Sequence, residues 1–182
     1  MRFFAGIAVP DELKNRIDAL RASYPGRLVR HIEPHVTLVP PMEVPQPEWW
    51  LEAMQEVCNT EAPFALQLGA PDAFGKRVLF LRLEDGANAL RLRDALYSAT
   101  QRLTQLHGWP FQVEQRPFHP HLTLAMESFG TPLAQMDEIR QSATDLAANM
   151  SAFTVRAVRV YRRQTGGWKP FADLPLESQP IT

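Results

Sequence analysis

The chain has 182 residues, 45% of them hydrophobic and 21% charged, with a formal net charge of −1. That is enough for one good-sized domain or two small fused lobes, and it excludes a strongly basic nucleic-acid coat, so any RNA contact must come from a local basic patch. Its one cysteine, Cys58, allows no internal disulfide and fits a reducing cytoplasm, and no apolar run approaches the ~18 residues of a membrane span.

Phe3–Val9 is predicted as a strand, not a targeting segment. Pro10-Asp11-Glu12 starts a helix with Leu13, Ile17 and Leu20 inward, and Pro25-Gly26 ends it. Arg27–Ile32 and His35–Val39 read as strands, the second stopped by Pro40-Pro41. A helix over Pro47–Asn59 carries Trp50, Met54 and Val57 on one face, with Cys58 in its apolar pattern. Phe64–Leu68 and Arg77–Leu83 read as strands, with a turn around Pro71-Asp72 and Gly75 between them. The spacing of Leu92, Leu96, Ala99, Leu103 and Leu106 predicts a helix after Gly86 that ends at Gly108 and Pro110. A short strand over Phe111–Glu114 and another over His121–Ala125 follow. Pro132 opens a helix with Leu133, Met136, Ile139, Ala143 and Leu146 inward. Phe153–Tyr161 is predicted as a strand whose apolar phase switches near Ala157, a bulge signal, and Gly166-Gly167 turns into a last strand near Trp168–Leu174.

Within this frame one tetrapeptide occurs twice, as His35-Val36-Thr37-Leu38 and His121-Leu122-Thr123-Leu124, with the histidines 86 residues apart. On a strand, residues two apart share a face. Each copy therefore offers an imidazole and a hydroxyl on one side and two apolar anchors on the other. Two such units facing each other place two imidazoles and two hydroxyls around one small anion. Histidine titrates near neutral pH, so one imidazole can take a proton while the other gives one. The hydroxyls of Thr37 and Thr123 can donate to non-bridging phosphate oxygens. The element order strand, helix, motif strand also occurs twice, which predicts one bilobal α+β domain over residues 1–182 with pseudo-twofold symmetry.

These residues, with the opening Arg2-Phe3-Phe4-Ala5-Gly6-Ile7-Ala8-Val9-Pro10, Arg30 ahead of the first motif, and Phe74-Gly75 followed by Val78-Leu79-Phe80, resemble the two-histidine (2H) phosphoesterase superfamily. Within it they are most similar to the bacterial RNA 2′,3′-cyclic phosphodiesterases, LigT/ThpR-like and also called 2′-5′ RNA ligases. The resemblance implies two pseudo-symmetric antiparallel sheets lining a central cleft, with helices outside. It implies His121 as general base on water, His35 as general acid toward the leaving ribose oxygen, and Thr37 and Thr123 as phosphate holders. The reaction it implies opens a terminal 2′,3′-cyclic phosphate to a 2′-phosphate, with weak reverse 2′-5′ ligation. It implies no metal and no other cofactor. The expected partner is an RNA 3′ end or a cyclic nucleotide, and the expected form is a cytoplasmic monomer with no membrane contact and no obligate protein partner. The chain departs from its relatives at Met126-Glu127, where many carry a basic residue, at His31, where many carry an aromatic, and at Val39-Pro40-Pro41.

Rival readings exist on the same residues. His31 with His35, or His119 with His121, joined by Glu33 or Glu114, is a conceivable metal set. Phe118, Trp109, Tyr161 and Trp168 are candidates to stack a base, and Arg30, Arg116, Arg162, Arg163 and Lys169 to meet an RNA backbone. Alternative functions are cleavage of 2′-5′ oligoadenylate, of ADP-ribose cyclic phosphate or of an RNA 3′ tail, and nucleotide binding without turnover.

Overall fold

The two motif segments become neighbouring antiparallel strands at the centre of a seven-stranded sheet. The computed structural model describes residues 1–110 and 118–177. The expected strand over Phe111–Glu114, and with it Glu114 and Arg116, lies outside the described residues.

The chain runs β1 (Arg2–Ala8), α1 (Asp11–Ala22), α2 (Leu28–His31), β2 (His35–Glu43), α3 (Pro47–Asn59), β3 (Phe64–Leu66), β4 (Leu68–Phe74), β5 (Val78–Leu83) and α4 (Ala87–His107). It continues with β6 (His121–Met126), α5 (Met136–Ala147), β7 (Phe153–Val155), β8 (Ala157–Gln164) and β9 (Gly167–Pro175). The strand order is β4-β5-β6-β2-β1-β8-β9, and β3 pairs with β7 in a separate small sheet. The two half-sheets, β4-β5-β6 and β2-β1-β8-β9, meet at the motif strands, and this is the expected α+β arrangement. Val36, Leu38 and Leu122 are fully buried and Leu124 nearly so, so the apolar side of each motif is core. Phe3, Ile7, Trp50, Met54, Leu92 and Leu96 pack with them. Cys58 is also buried there, and burial, then the Glu61 charge, pushes its thiol up to about 12.

Several elements differ from the sequence reading, each for a local reason. Arg27–Ile32 is not a strand, since Leu28–His31 forms a single helical turn. A strand would have put Arg30 on the same face as Leu28 and Ile32. The turn instead brings Leu28 and Ile32, four apart, into one cluster with Phe4 and Tyr161 and leaves Arg30 exposed. Pro40-Pro41 does not stop β2. Ala5 pairs with Val39 and Phe3 with Met42, so one extra residue on β2 is absorbed as a bulge at the prolines, which have no N–H to offer the ladder. Pro71-Asp72 is not a turn but lies inside β4, the edge strand, where a missing donor costs little. The expected strand Phe64–Leu68 splits at Gln67, and the strand Phe153–Tyr161 splits at Arg156. At both points the chain passes between the small and the large sheet, so the phase switch near Ala157 marks a change of sheet and not a bulge. The helix expected from Pro132 begins as a 3-10 turn over Leu133–Gln135, which leaves Leu133 45% exposed instead of inward.

Candidate active site

A local dyad organises the site. Val36 of β2 pairs with Leu122 of β6, and these hold the same position in the two motifs. Extending that antiparallel register by one residue each way sets His35 opposite Thr123 and Thr37 opposite His121. The four side chains therefore form a square on one face, with each imidazole diagonal to the other. The flanking strands obey the same symmetry. Ala8 and Gly6 of β1 pair with His35 and Thr37, and Arg82 and Phe80 of β5 pair with His121 and Thr123.

Each imidazole is held in the same way. His35 Nδ1 lies 2.9 Å from the carbonyl oxygen of Glu33, and His121 Nδ1 lies 2.6 Å from that of His119. In each case the acceptor is the carbonyl two residues upstream, so Nδ1–H donates and Nε2 is the nitrogen that can exchange a proton. On His35 that nitrogen is 3.2 Å from the Thr37 hydroxyl, which donates to it in the neutral tautomer. Aromatic rings bracket both histidines. Phe4 and Tyr161 lie 4.9 and 5.6 Å from the His35 ring, and Phe80 and Phe74 lie 4.9 and 5.0 Å from the His121 ring.

His35 is lowered to about 4, chiefly by burial; the Glu33 carbonyl opposes this, and the charges of Arg21 and His121 add to the lowering. The carbonyl it uses belongs to a residue that is itself tied down. The Glu33 carboxylate accepts from the Tyr161 hydroxyl at 2.8 Å and from Arg159 at 3.1 Å, and Arg159 grips Asp173 through two further bonds of 2.7 and 2.8 Å. Burial, then the Glu33 carboxylate, pushes the Tyr161 phenol up.

The four motif residues predicted from sequence thus come together, and other expectations fall elsewhere. His31 sits on α2, not on a strand with His35, and its Nε2 lies 2.8 Å from Arg163. The His119 carbonyl holds His121. Among the described residues no three His, Cys, Asp or Glu side chains cluster as a metal set. Tyr161 is fully buried and Trp109 nearly so, which removes both as stacking platforms. Phe118 lies under the Arg93 guanidinium. Trp168 meets Phe4 edge-on at 4.9 Å, and with Arg163 and His31 it forms a rim on the His35 side. Arg162 lies over Phe171, and Lys169 and Arg30 are exposed. Phe74, 42% exposed and edge-on to His121, is a platform that the sequence reading did not single out for stacking. With Phe80, Arg82 and His119 it lines a hollow of about 370 Å³ beside His121.

Gly6 was also missed, although an isolated glycine inside a strand signals close backbone approach. A Cβ there would stand 2.7 Å from the Val36 carbonyl oxygen and 3.4 Å from His35 Cδ2. Any side chain would push β1 off the first motif. Gly6→Ala is expected to lower stability by roughly 1–3 kcal/mol in urea unfolding, the usual cost of forcing atoms into a packed site. An unchanged midpoint would show that β1 withdraws without strain.

Antiparallel sheet, helices outside and two dyad-related HxTx strands are the two-histidine phosphoesterase fold. Comparison with known proteins makes this specific. Residues 9–167 match the model of the 2′-5′ RNA ligase superfamily, and the chain belongs to that family. It is 28% identical to an RNA 2′,3′-cyclic phosphodiesterase of Geobacillus stearothermophilus over 98% of this chain, and 29% identical to one of Bacillus subtilis over 70% of it. The chain spans 58% of the Geobacillus relative's length and 72% of the Bacillus one's. In fold it is similar to a protein of Thermus thermophilus, with a TM-score of 0.69 and 20% identity over 99% of this chain and 100% of that one. It is also similar to E. coli LigT complexed with 3′-AMP, with a TM-score of 0.63 and 22% identity over 96% and 97%. Among the described residues no helix is long and apolar enough to cross a membrane.

Proposed function

We propose that the chain is a cytoplasmic, monomeric phosphodiesterase that opens 2′,3′-cyclic phosphate ends of RNA or nucleotides to 2′-phosphates by histidine acid–base catalysis, without a metal. The observation that carries this reading is the dyad of HxTx strands in which both histidines bind a backbone carbonyl through Nδ1 and so offer Nε2. His121 Nε2 takes a proton from water as the water oxygen bonds to phosphorus. The bond from phosphorus to the ribose 3′ oxygen breaks, and that oxygen leaves with the proton of His35. Thr37 and Thr123 donate to the non-bridging oxygens, where charge grows in the transition state. With a 5′-hydroxyl in place of water as nucleophile, the same square of groups breaks the same bond to the 3′ oxygen and leaves a 2′-5′ linkage, a weak ligation that is the microscopic reverse of 2′-5′ cleavage. The hollow with Phe74 at its edge lies on the nucleophile's side, beside His121, and supports the nucleoside that brings the 5′-hydroxyl in ligation.

The test is hydrolysis of the four nucleoside 2′,3′-cyclic monophosphates in EDTA, with 2′- and 3′-monophosphate products resolved. Conversion to 2′-monophosphate is the expected result. Activity that appears only with a divalent ion overturns the metal-free mechanism. Nucleotide binding with no turnover favours a binding module.

A further inference from the structure

The two proton-transfer groups stand on different half-sheets, and the seam between them is thin. Among the described residues Val36↔Leu122 is the one register pair that joins β2 to β6, whereas β1–β2 and β5–β6 pair along most of their length. Arg21 crosses this seam. It occupies the inward position one turn after Ile17 in α1, and its side chain is 2% exposed. Nη1 donates to the carbonyl of Ile32 at 3.3 Å, three residues ahead of His35. Nη2 donates to the carbonyl of Thr123, in the other motif. Asp18, one turn back, lies 3.6 Å from Nη1.

A guanidinium suits this task, because its planar fork presents two donors at a fixed angle and keeps its charge. Burial lowers Arg21 to about 10, with Asp18 opposing, so it stays a cation at neutral pH. Burying a cation is costly, and an apolar side chain of similar volume would fill the space with less desolvation. What the apolar side chain cannot do is hold two backbone carbonyls from two motifs at one distance.

We propose that Arg21 is a positioning residue, which sets the separation and facing of His35 and His121 by tying the backbones of both motifs to one rigid fork. This rests on the reading of the two histidines as an acid–base pair. Ile32 is linked to His35 through Glu33, whose carbonyl holds the imidazole, and through Pro34, whose ring stiffens the link. A displacement of Thr123 moves the phosphate donor and His121 together. A misplacement of about 1 Å in such a pair is worth on the order of 10²-fold in rate.

The experiment compares Arg21→Met and Arg21→Lys with the parent protein in two readouts, kcat and KM on a nucleoside 2′,3′-cyclic phosphate, and the NMR titration of each imidazole. Arg21→Met is expected to lower kcat by on the order of 10²-fold and to leave KM within about threefold. With the nearby cation gone, the His35 midpoint should move up. Arg21→Lys keeps the charge but not the fork, so its His35 midpoint should stay near the parent value while kcat still falls by about tenfold. A part that was only structural would lower the melting temperature and leave kcat and KM of the folded variants parental, while the His35 shift in Arg21→Met reports the lost charge alone. Folded variants with parental kcat overturn the proposal. Where Arg21→Met does not fold, Arg21→Lys carries the test alone, and parental turnover in it is the overturning result. If the parent itself turns over no cyclic phosphate, the acid–base reading fails. The imidazole ring resonances of Arg21→Lys, which keeps the charge, then still decide whether Arg21 sets the two rings: displaced resonances of both His35 and His121 support it and parental ones overturn it.

Discussion

His121→Ala and His35→Ala are each expected to abolish detectable turnover of nucleoside 2′,3′-cyclic phosphates while leaving nucleotide affinity within roughly tenfold. A positioned general acid or base is worth about 10²–10⁴-fold, and each variant removes one of the two. Losing both should cost little more than losing one, because groups that act in one step are not additive. Affinity survives because the phosphate contacts assigned to Thr37 and Thr123 lie on the same strands and need no imidazole. The two variants differ in structural risk. The His35 ring packs against Phe4 and Tyr161 and bonds the Glu33 carbonyl, so its removal leaves a gap. His35→Gln keeps polar reach and fills more of that gap, and it should be just as inactive. Single-turnover rates with saturating substrate, beside isothermal titration with the 2′-monophosphate product, separate chemistry from binding. A near-normal rate from either alanine variant would sink the two-histidine mechanism.

The residues to which the proposed chemistry is assigned are legible because the signal is local. A period of two puts His35 with Thr37 and His121 with Thr123, and no tertiary knowledge is needed to see it. The pairing of the two motifs was not legible, since Val36↔Leu122 joins residues far apart in sequence. The supports of the site were hidden for the same reason. In sequence Glu33 offers only a carboxylate for a conceivable metal set, yet its side chain is fixed by Tyr161 and Arg159 from β8. Arg21 left a faint trace, a charge at the inward spacing of Leu13 and Ile17, and the apolar reading of that face ended at Leu20 instead. Tyr161, an aromatic at the end of the expected strand Phe153–Tyr161, invites a stacking role, but its ring is stacked on Phe4 at 4.4 Å inside the core. Proline is a weaker strand stop here than its missing N–H suggests. At Pro40-Pro41 and at Pro71 the strand continues, because a bulge or a sheet edge leaves the absent N–H without consequence.

The second large effect concerns pH, and it bears on which histidine is the acid. In the unfolded chain an imidazole takes up its proton near pH 6.5. In the folded chain burial holds His35 neutral down to about 4. Between these values the unfolded state binds the extra proton, so stability rises with pH and is lost as pH falls from about 6.5 toward 4, by up to about 1.4 kcal/mol per pH unit for this group. His31, lowered chiefly by burial and then by Arg163 and Arg27, acts in the same direction. Urea unfolding at pH 7.5, 6 and 4.5 is expected to show this fall, and His35→Gln should flatten it. An equal slope in that variant would place the titration elsewhere. Catalysis needs the opposite protonation, because a general acid must carry its proton. The phosphodiester anion resolves the conflict, since a negative charge between the two imidazoles favours the imidazolium and raises His35 from about 4 toward neutrality. The NMR midpoint of His35 should therefore move up on saturation with inorganic phosphate, and kcat should follow a bell-shaped profile. If the midpoint stays near 4 with phosphate bound, His35 is the base and His121 the acid, an exchange of roles that the dyad itself permits.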